Sequence, residues 1–294
     1  MGMDLHQPST LDSPPVNSVK RTTRFWVLTS LAGVVLLTYL FATAPRPLET
    51  GSEAEKTLST QEALTLLAYE NDVTRTLFTK SIVGGGKKNG LRFDEKWEET
   101  DVIAGPLPAL FLRGVADELS RSDVPLGLFL GSDFPIEKSN QLEDEQALQF
   151  QAMREDLEPK HFVDPVTGEQ VSMFPDFASA GPCVSCHNDH EKSAKHDWKL
   201  GDLMGATTWS YPDDSVTTDE FMRMLLAYRS GVETVWASYA EELAQLPETD
   251  RPELGPQWPS EGHFIPDHTA LRDSIDKIGG LHILEELMTL TASR

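Results

Sequence analysis

The chain has 294 residues, 39 % of them hydrophobic, with 25 Lys and Arg against 47 Asp and Glu, for a formal net charge of −22. That apolar share can build a packed core, and the length admits one large domain or two modest ones, which argues against a disordered or fibrous chain. The negative charge repels nucleic acid phosphates and anionic headgroups, so nucleic acid binding is set aside and a basic protein partner is favoured.

Residues 1–24 are rich in Pro, Ser and Thr without periodicity and read as a disordered cytoplasmic tail. The run "FWVLTSLAGVVLLTYLFATA", Phe25 to Ala44, carries no charge and has the length a helix needs to cross a bilayer, so 25–44 is expected to be a transmembrane helix. Lys20, Arg21 and Arg24 precede it, whereas only Arg46 follows closely. The basic flank therefore stays in the cytoplasm, and the rest of the chain lies in the periplasm, anchored to the bacterial inner membrane. A cleaved signal peptide ending at "ATA" is the competing reading, but the apolar run exceeds a usual signal core.

Residues 45–56 read as a polar linker. "LSTQEALTLLAYENDVTRTLFTKSIV" then places Leu64, Leu67, Ala68, Leu77 and Phe78 at helical spacing. "GGGKKNG" lacks the spacing of a phosphate loop and is expected to be a flexible turn. Between about residues 100 and 180, "PLGLFLGSDFP" reads as a short apolar run, "LEDEQALQFQAMREDL" as a helix, and "VDPVTGEQVSMFP" as a turn followed by a strand. The class expected is α+β with an antiparallel sheet and flanking helices. Thr217 and Glu220 have capping-box spacing, and Phe221, Met224, Leu225, Tyr228, Val232, Trp236 and Tyr239 follow on one helical face until Pro247. A Pro-rich connector leads to a last helical stretch that Gly279 and Gly280 are expected to break in two. Residues 213–294 thus form an α-helical C-terminal extension.

Both cysteines lie in "AGPCVSCHNDH", with His187 directly after Cys186. In Cys183-Val-Ser-Cys186-His187 each thiol can add across one vinyl group of a porphyrin, and the histidine is placed to bind the iron axially. Covalent haem attachment also suits the expected compartment. Three alternatives remain. A structural zinc site usually wants a second Cys pair, which the chain lacks, so His187, His190 and His196 would have to complete it. A redox dithiol would want the pair at the start of a helix after a strand and has no need of His187. A disulfide across two residues would be strained.

The stretch "CVSCHNDHEKSAKHDWKLGDLMG" is similar to the signature of the haem-c-binding PAS-like family, found in bacterial membrane-anchored sensors and redox proteins. The resemblance rests on Cys183 to Asn188, His190, Asp197-Trp198-Lys199, Gly201, Asp202 and Gly205, with weaker support from "PLPALF" at Pro106 to Phe111 and "GSDFP" at Gly131 to Pro135. It covers 57–212 and implies a PAS-like sheet domain holding one covalent haem c per chain, with His187 as axial ligand. Where the family commonly carries a basic residue after the Ser-x-x-Pro segment, this chain has "IEKSN", which speaks against a propionate contact there. Trp198 is a candidate to cover a haem edge, and Lys199 and Lys195 to pair with propionates. Against each stands the commoner role of core tryptophan or solvated lysine.

Between Gly51 and Gln151 there is no His, Met or Cys, so a sixth iron ligand from the first outer helix would have to be Tyr69 or Lys80. The remaining candidates are His161, Met173, His190, His196 and Met204, and an open position is the alternative. His263, His268 and His282 are read as ordinary surface residues. No kinase, cyclase or chemoreceptor region is seen after the haem domain, so a sensor would act on a signalling or redox partner protein. The rival is a membrane-tethered electron carrier. A haem enzyme such as a peroxidase is disfavoured, because it would need a distal acid/base residue that the sequence does not place.

Overall fold

One helix, α1 (Asn17–Thr43), is what the computed structural model describes of a first unit, Met1–Ala54; the described residues are 17–43, 57–99, 101–245 and 269–292. The helix begins inside the expected tail. Neither Pro nor Gly separates Asn17 from the apolar run, so nothing stops a helix from starting just after Pro14 and Pro15. From Phe25 to Tyr39 its large apolar side chains are 57–68 % exposed. Among the described residues no helix is long and apolar enough to cross a membrane. Side chains of α1 are described only over 25–39 and at Thr43, a continuous stretch that reaches about 22 Å at 1.5 Å per residue. Ala44, the whole 45–56 linker and the Pro-rich connector lie outside the described residues.

The second unit, Glu55–Arg294, opens with β1 (Thr57–Ser59) and α2 (Thr60–Leu77), which runs into a π-helical segment Phe78–Gly84 and a short α3 (Gly85–Lys88). Then come β2 (Phe93–Asp94), β3 (Gly105–Pro106), α4 (Pro108–Ser120), β4 (Gly127–Gly131), α5 (Asp144–Asp156), β5 (Lys160–Val163), β6 (Gln170–Phe177) and α6 (Gly181–Asp189). The unit closes with β7 (Leu203–Tyr211), β8 (Ser215–Thr217), α7 (Thr218–Gln245), α8 (Thr269–Ile275), a second π-helical segment Asp276–Gly280 and α9 (Leu281–Ala292). The class is α+β, as expected. Its main sheet is antiparallel, four-stranded and ordered β4-β7-β6-β5, so the first of the four strands lies beside the last.

Two corrections concern glycine. Gly84 to Lys88 is helical rather than a flexible turn, and the turn comes only after it. Gly279 and Gly280 do not break the last helix; they end a π-helical segment that joins α8 to α9. A regularity accompanies both π segments. On α2 and its continuation the buried positions Glu70, Thr74, Phe78, Ile82 and Gly86 recur every four residues, as do Leu271, Ile275, Gly279 and Ile283 on the last helix. At 3.6 residues per turn such a stripe would drift about 40° per step, and one wider turn brings it back to the same neighbours.

The expected boundary at 212/213 does not separate two cores. β8 pairs with β1 in register Thr57↔Thr217, Leu58↔Val216 and Ser59↔Ser215, so α2 and α7 start side by side. Each is capped by a box, Ser59 with Glu62 and Thr217 with Glu220. All seven residues expected on the buried face of α7 are buried, and they join one core with Leu64, Leu67, Phe78, Phe111, Val115, Trp209, Leu271 and Ile283. A smaller core on the other side of the sheet packs Phe150 and Met153 of α5 against Met173, Leu203 and Ala206.

Candidate functional site

α6 leaves the end of β6 and carries the motif. Pro182 lies in its first turn, where a missing N–H costs nothing, and Ser185 donates its hydroxyl back to the Gly181 carbonyl at 3.2 Å. None of the nine residues of α6 is buried. Cys183 and Cys186 are both free thiols, one partly buried and one exposed, and three residues apart they share a helix face. Desolvation of the sulfur by its neighbours and the Glu95 carboxylate push the Cys186 thiol above its ordinary range, although the residue as a whole is exposed. That is opposite to the depressed thiol of a redox dithiol, although the pair does sit at the start of a helix after a strand.

His187 follows on the same helix. Burial lowers its imidazole, with a smaller push from His190 and an opposing pull from Asp176, so the neutral form, which can ligate a metal, is favoured. Its Nδ1 is buried and makes no hydrogen bond. Trp198 stands edge-on to it, ring centroids 6.4 Å apart at 86°, and its Nε1 is likewise buried without a partner. Trp198 is only 3 % exposed yet belongs to neither core; it packs beside Phe134, and Lys195 lies 4.6 Å over its ring.

Asn188 locks this arrangement. Its Nδ2 donates to the Trp198 carbonyl at 3.0 Å and its Oδ1 accepts from the Trp198 N–H at 2.8 Å, tying the end of α6 to the returning loop. His196 adds a contact to the Asn188 carbonyl at 2.7 Å. Gly201 takes the positive φ of 89° that turns the loop back, and a Cβ on Gly205 would stand 2.4 Å from the Gly131 carbonyl oxygen, where β7 crosses β4. Outward clasps join His190 to Glu95 at 3.2 Å and Lys192 to Glu137 at 2.8 Å.

Of the expected site residues, Cys183, Cys186, His187 and Trp198 come together. Lys199 is exposed, its backbone N–H bonded to Asp202 at 2.9 Å, and Lys195 is paired with Asp197. Among the candidate sixth ligands, Tyr69 stacks on His282 at 3.9 Å, His161 shares a 2.8 Å hydrogen bond with Ser172, and Met173 is fully buried in the smaller core. Lys80 is exposed, and the carbonyl of Met204 accepts from Ser132 at 2.5 Å. His190 is engaged by Glu95 and His196 by the Asn188 carbonyl. His263 and His268 lie outside the described residues. Asn188 is the residue whose role sequence reasoning misses: it stands within the motif, but only its pairing across ten residues shows what it holds.

Among the described residues no group of three or more His, Cys, Asp or Glu side chains could hold a metal ion. A haem does not need one, since its iron takes one or two protein ligands. Two free thiols beside two buried, unpartnered ring nitrogens fit a site completed by a further group. Two open depressions, ≈ 390 Å³ and ≈ 640 Å³, lie along α7 and include no residue of the motif.

No curated protein and no solved structure matches the chain. A family model, Tll0287-like, matches residues 53–212, which hold α2, α4 to α6, the whole four-stranded sheet and the Cys183–His187 motif. Over that majority of its length, the chain belongs to the Tll0287-like family.

Proposed function

We propose that this chain is a membrane-anchored periplasmic c-type haem protein that acts as a redox or gas sensor through a partner protein. The observation that carries the reading is α6 itself: two free thiols on one helix face, an imidazole on the next residue, and unpartnered nitrogens on His187 and Trp198 behind them. On this reading Cys183 and Cys186 each add sulfur and hydrogen across one vinyl group, so two thioethers form with no oxidant and nothing leaves. His187 would supply an imidazole nitrogen to the iron. Bound haem supplies a one-electron couple and a coordination site for small gases. Asn188 holds Trp198 against His187, Trp198 shields the imidazole from water, and Lys199 stays free to meet a propionate.

The PAS-like identity belongs to the same proposal and is supported by the antiparallel sheet with α2, α4 and α7 in the core on one face. Membrane anchoring is supported by the uncharged run Phe25 to Ala44, by its basic N-terminal flank, and by apolar side chains exposed on every side of α1 over 25–39. A tethered electron carrier is the second reading, favoured by the net charge of −22, which would steer a basic redox partner.

The test is to produce the full chain together with a haem-attachment system and weigh the peptide that contains Cys183 and Cys186. One added haem is expected. Unmodified thiols would overturn the reading, and a Cys183–Cys186 disulfide would move the site to the dithiol class. Rapid formation of a ferrous carbon monoxide adduct would favour the sensor, and an iron that refuses the gas while exchanging electrons quickly would favour the carrier.

A further inference from the structure

The last described helices are fastened to the rest of the unit by a chain of charges. Glu70 of α2 is fully buried, and its Oε1 accepts from Arg229 Nε of α7 at 2.7 Å. The same guanidinium reaches Asp276 in the second π segment, Nη1 to Oδ1 at 2.6 Å. The other Glu70 oxygen is buried without a hydrogen bond and faces Gly279, where a Cβ would stand 2.4 Å away. Next to it Tyr69 stacks on His282, and Arg272 bonds Glu233 of α7 at 3.1 Å.

The apolar part of this contact is narrow. Among the described residues Leu271, Ile275 and Ile283 are the buried apolar residues that α8 and α9 bring to the large core, with Leu287 and Leu290 partly buried beside them, against ten on α7. A buried ion pair roughly breaks even against the cost of dehydrating it, and one unpartnered carboxylate oxygen adds to that cost. The segment is therefore held by an interaction that is specific in geometry and shallow in free energy. Its anchor, α2, also carries Arg75, whose Nη2 donates to both carboxylate oxygens of Asp176 of β6, at 2.9 and 2.8 Å. β6 leads directly into α6, so one helix touches both the fastening and the strand that positions the thiols.

We propose that Thr269–Ala292 is a charge-locked latch on α2, which leaves as a unit when the contact of Arg229 with Asp276 is cut or Gly279 is forced off Glu70, while α2, α4 and α7 stay folded. The proposal does not rest on haem attachment. Hydrogen exchange of the full chain tests it, read by mass spectrometry on peptides from 269–292 and from 221–239. Asp276→Asn should speed exchange in 269–292 about tenfold and leave 221–239 unchanged. Gly279→Ala should do the same by driving a methyl into the Glu70 carboxylate. Unchanged exchange in both variants overturns the latch. So does loosening that spreads to 221–239.

Discussion

α6 and α7 divide the labour of this molecule. α7 runs for 28 residues with ten apolar side chains packed into the main core, whereas α6 runs for nine and buries none. A helix as short as α6 is marginal alone in water, and it is ordered by local devices: the turn at Pro182, the Ser185 back-bond and the double hydrogen bond from Asn188 to Trp198. Free energy of folding is thus concentrated where the chemistry is absent. The residues with reactive side chains can change without unfolding the unit.

That contrast can be broken by experiment. The largest expected effect is chemical: Cys183→Ala with Cys186→Ala should abolish covalent haem on denaturing gels, yet move the unfolding free energy of the haem-free chain by less than about 0.5 kcal/mol. A larger loss would mean that α6 contributes to the core after all. Trp236→Ala should do the reverse, costing about 3–5 kcal/mol in urea unfolding while leaving both thiols reactive toward a maleimide. Asn188→Ala sits between them. It removes both bonds to Trp198 and should cost about 1–3 kcal/mol, seen as faster hydrogen exchange confined to 181–202; exchange that stays at the wild-type rate would remove Asn188 as the lock.

The smallest effect is a pH dependence. Burial raises the Glu70 carboxyl above its ordinary 4.5 although Arg229 pulls it down. With the folded value above the unfolded one, the folded state holds the extra proton, so this contribution is fully present below the unfolded value and is lost as pH rises through the folded one. The stability of the wild type relative to Glu70→Gln should therefore fall from about pH 4.5 upward and then level off. Paired urea titrations read it, and a difference that grows with pH would be the wrong sign.

How much of this was legible beforehand differs by element. The face of α7 was readable because one side of it meets solvent, which leaves a 3.6-residue pattern, and Thr217 with Glu220 marks its start. β7, the strand between β4 and β6, was missed. It is covered on both faces, so almost every residue from Leu203 to Tyr211 is buried and no alternation survives to be seen. The Ser59–Glu62 box could have been found by the same spacing rule that located the one on α7. At the site, Cys183, Cys186 and His187 were legible from adjacency alone, and Trp198 through a resemblance. Asn188 was not, since its function is a contact across ten residues.

By itself the sequence determined what depends on neighbours along the chain: the uncharged run at Phe25–Ala44, the capped amphipathic helix after Thr217, and two thiols and an imidazole within one helical turn or so. Only the tertiary structure decided what depends on distant contacts. It merged residues 213–294 into the core of the preceding domain through β1 and β8, turned two glycine-rich stretches into helix, and set Glu70, Arg229 and Asp276 in one line. The reason is physical. Local patterns record which face of a segment meets water, but which buried face meets which is settled only when the whole chain closes on itself.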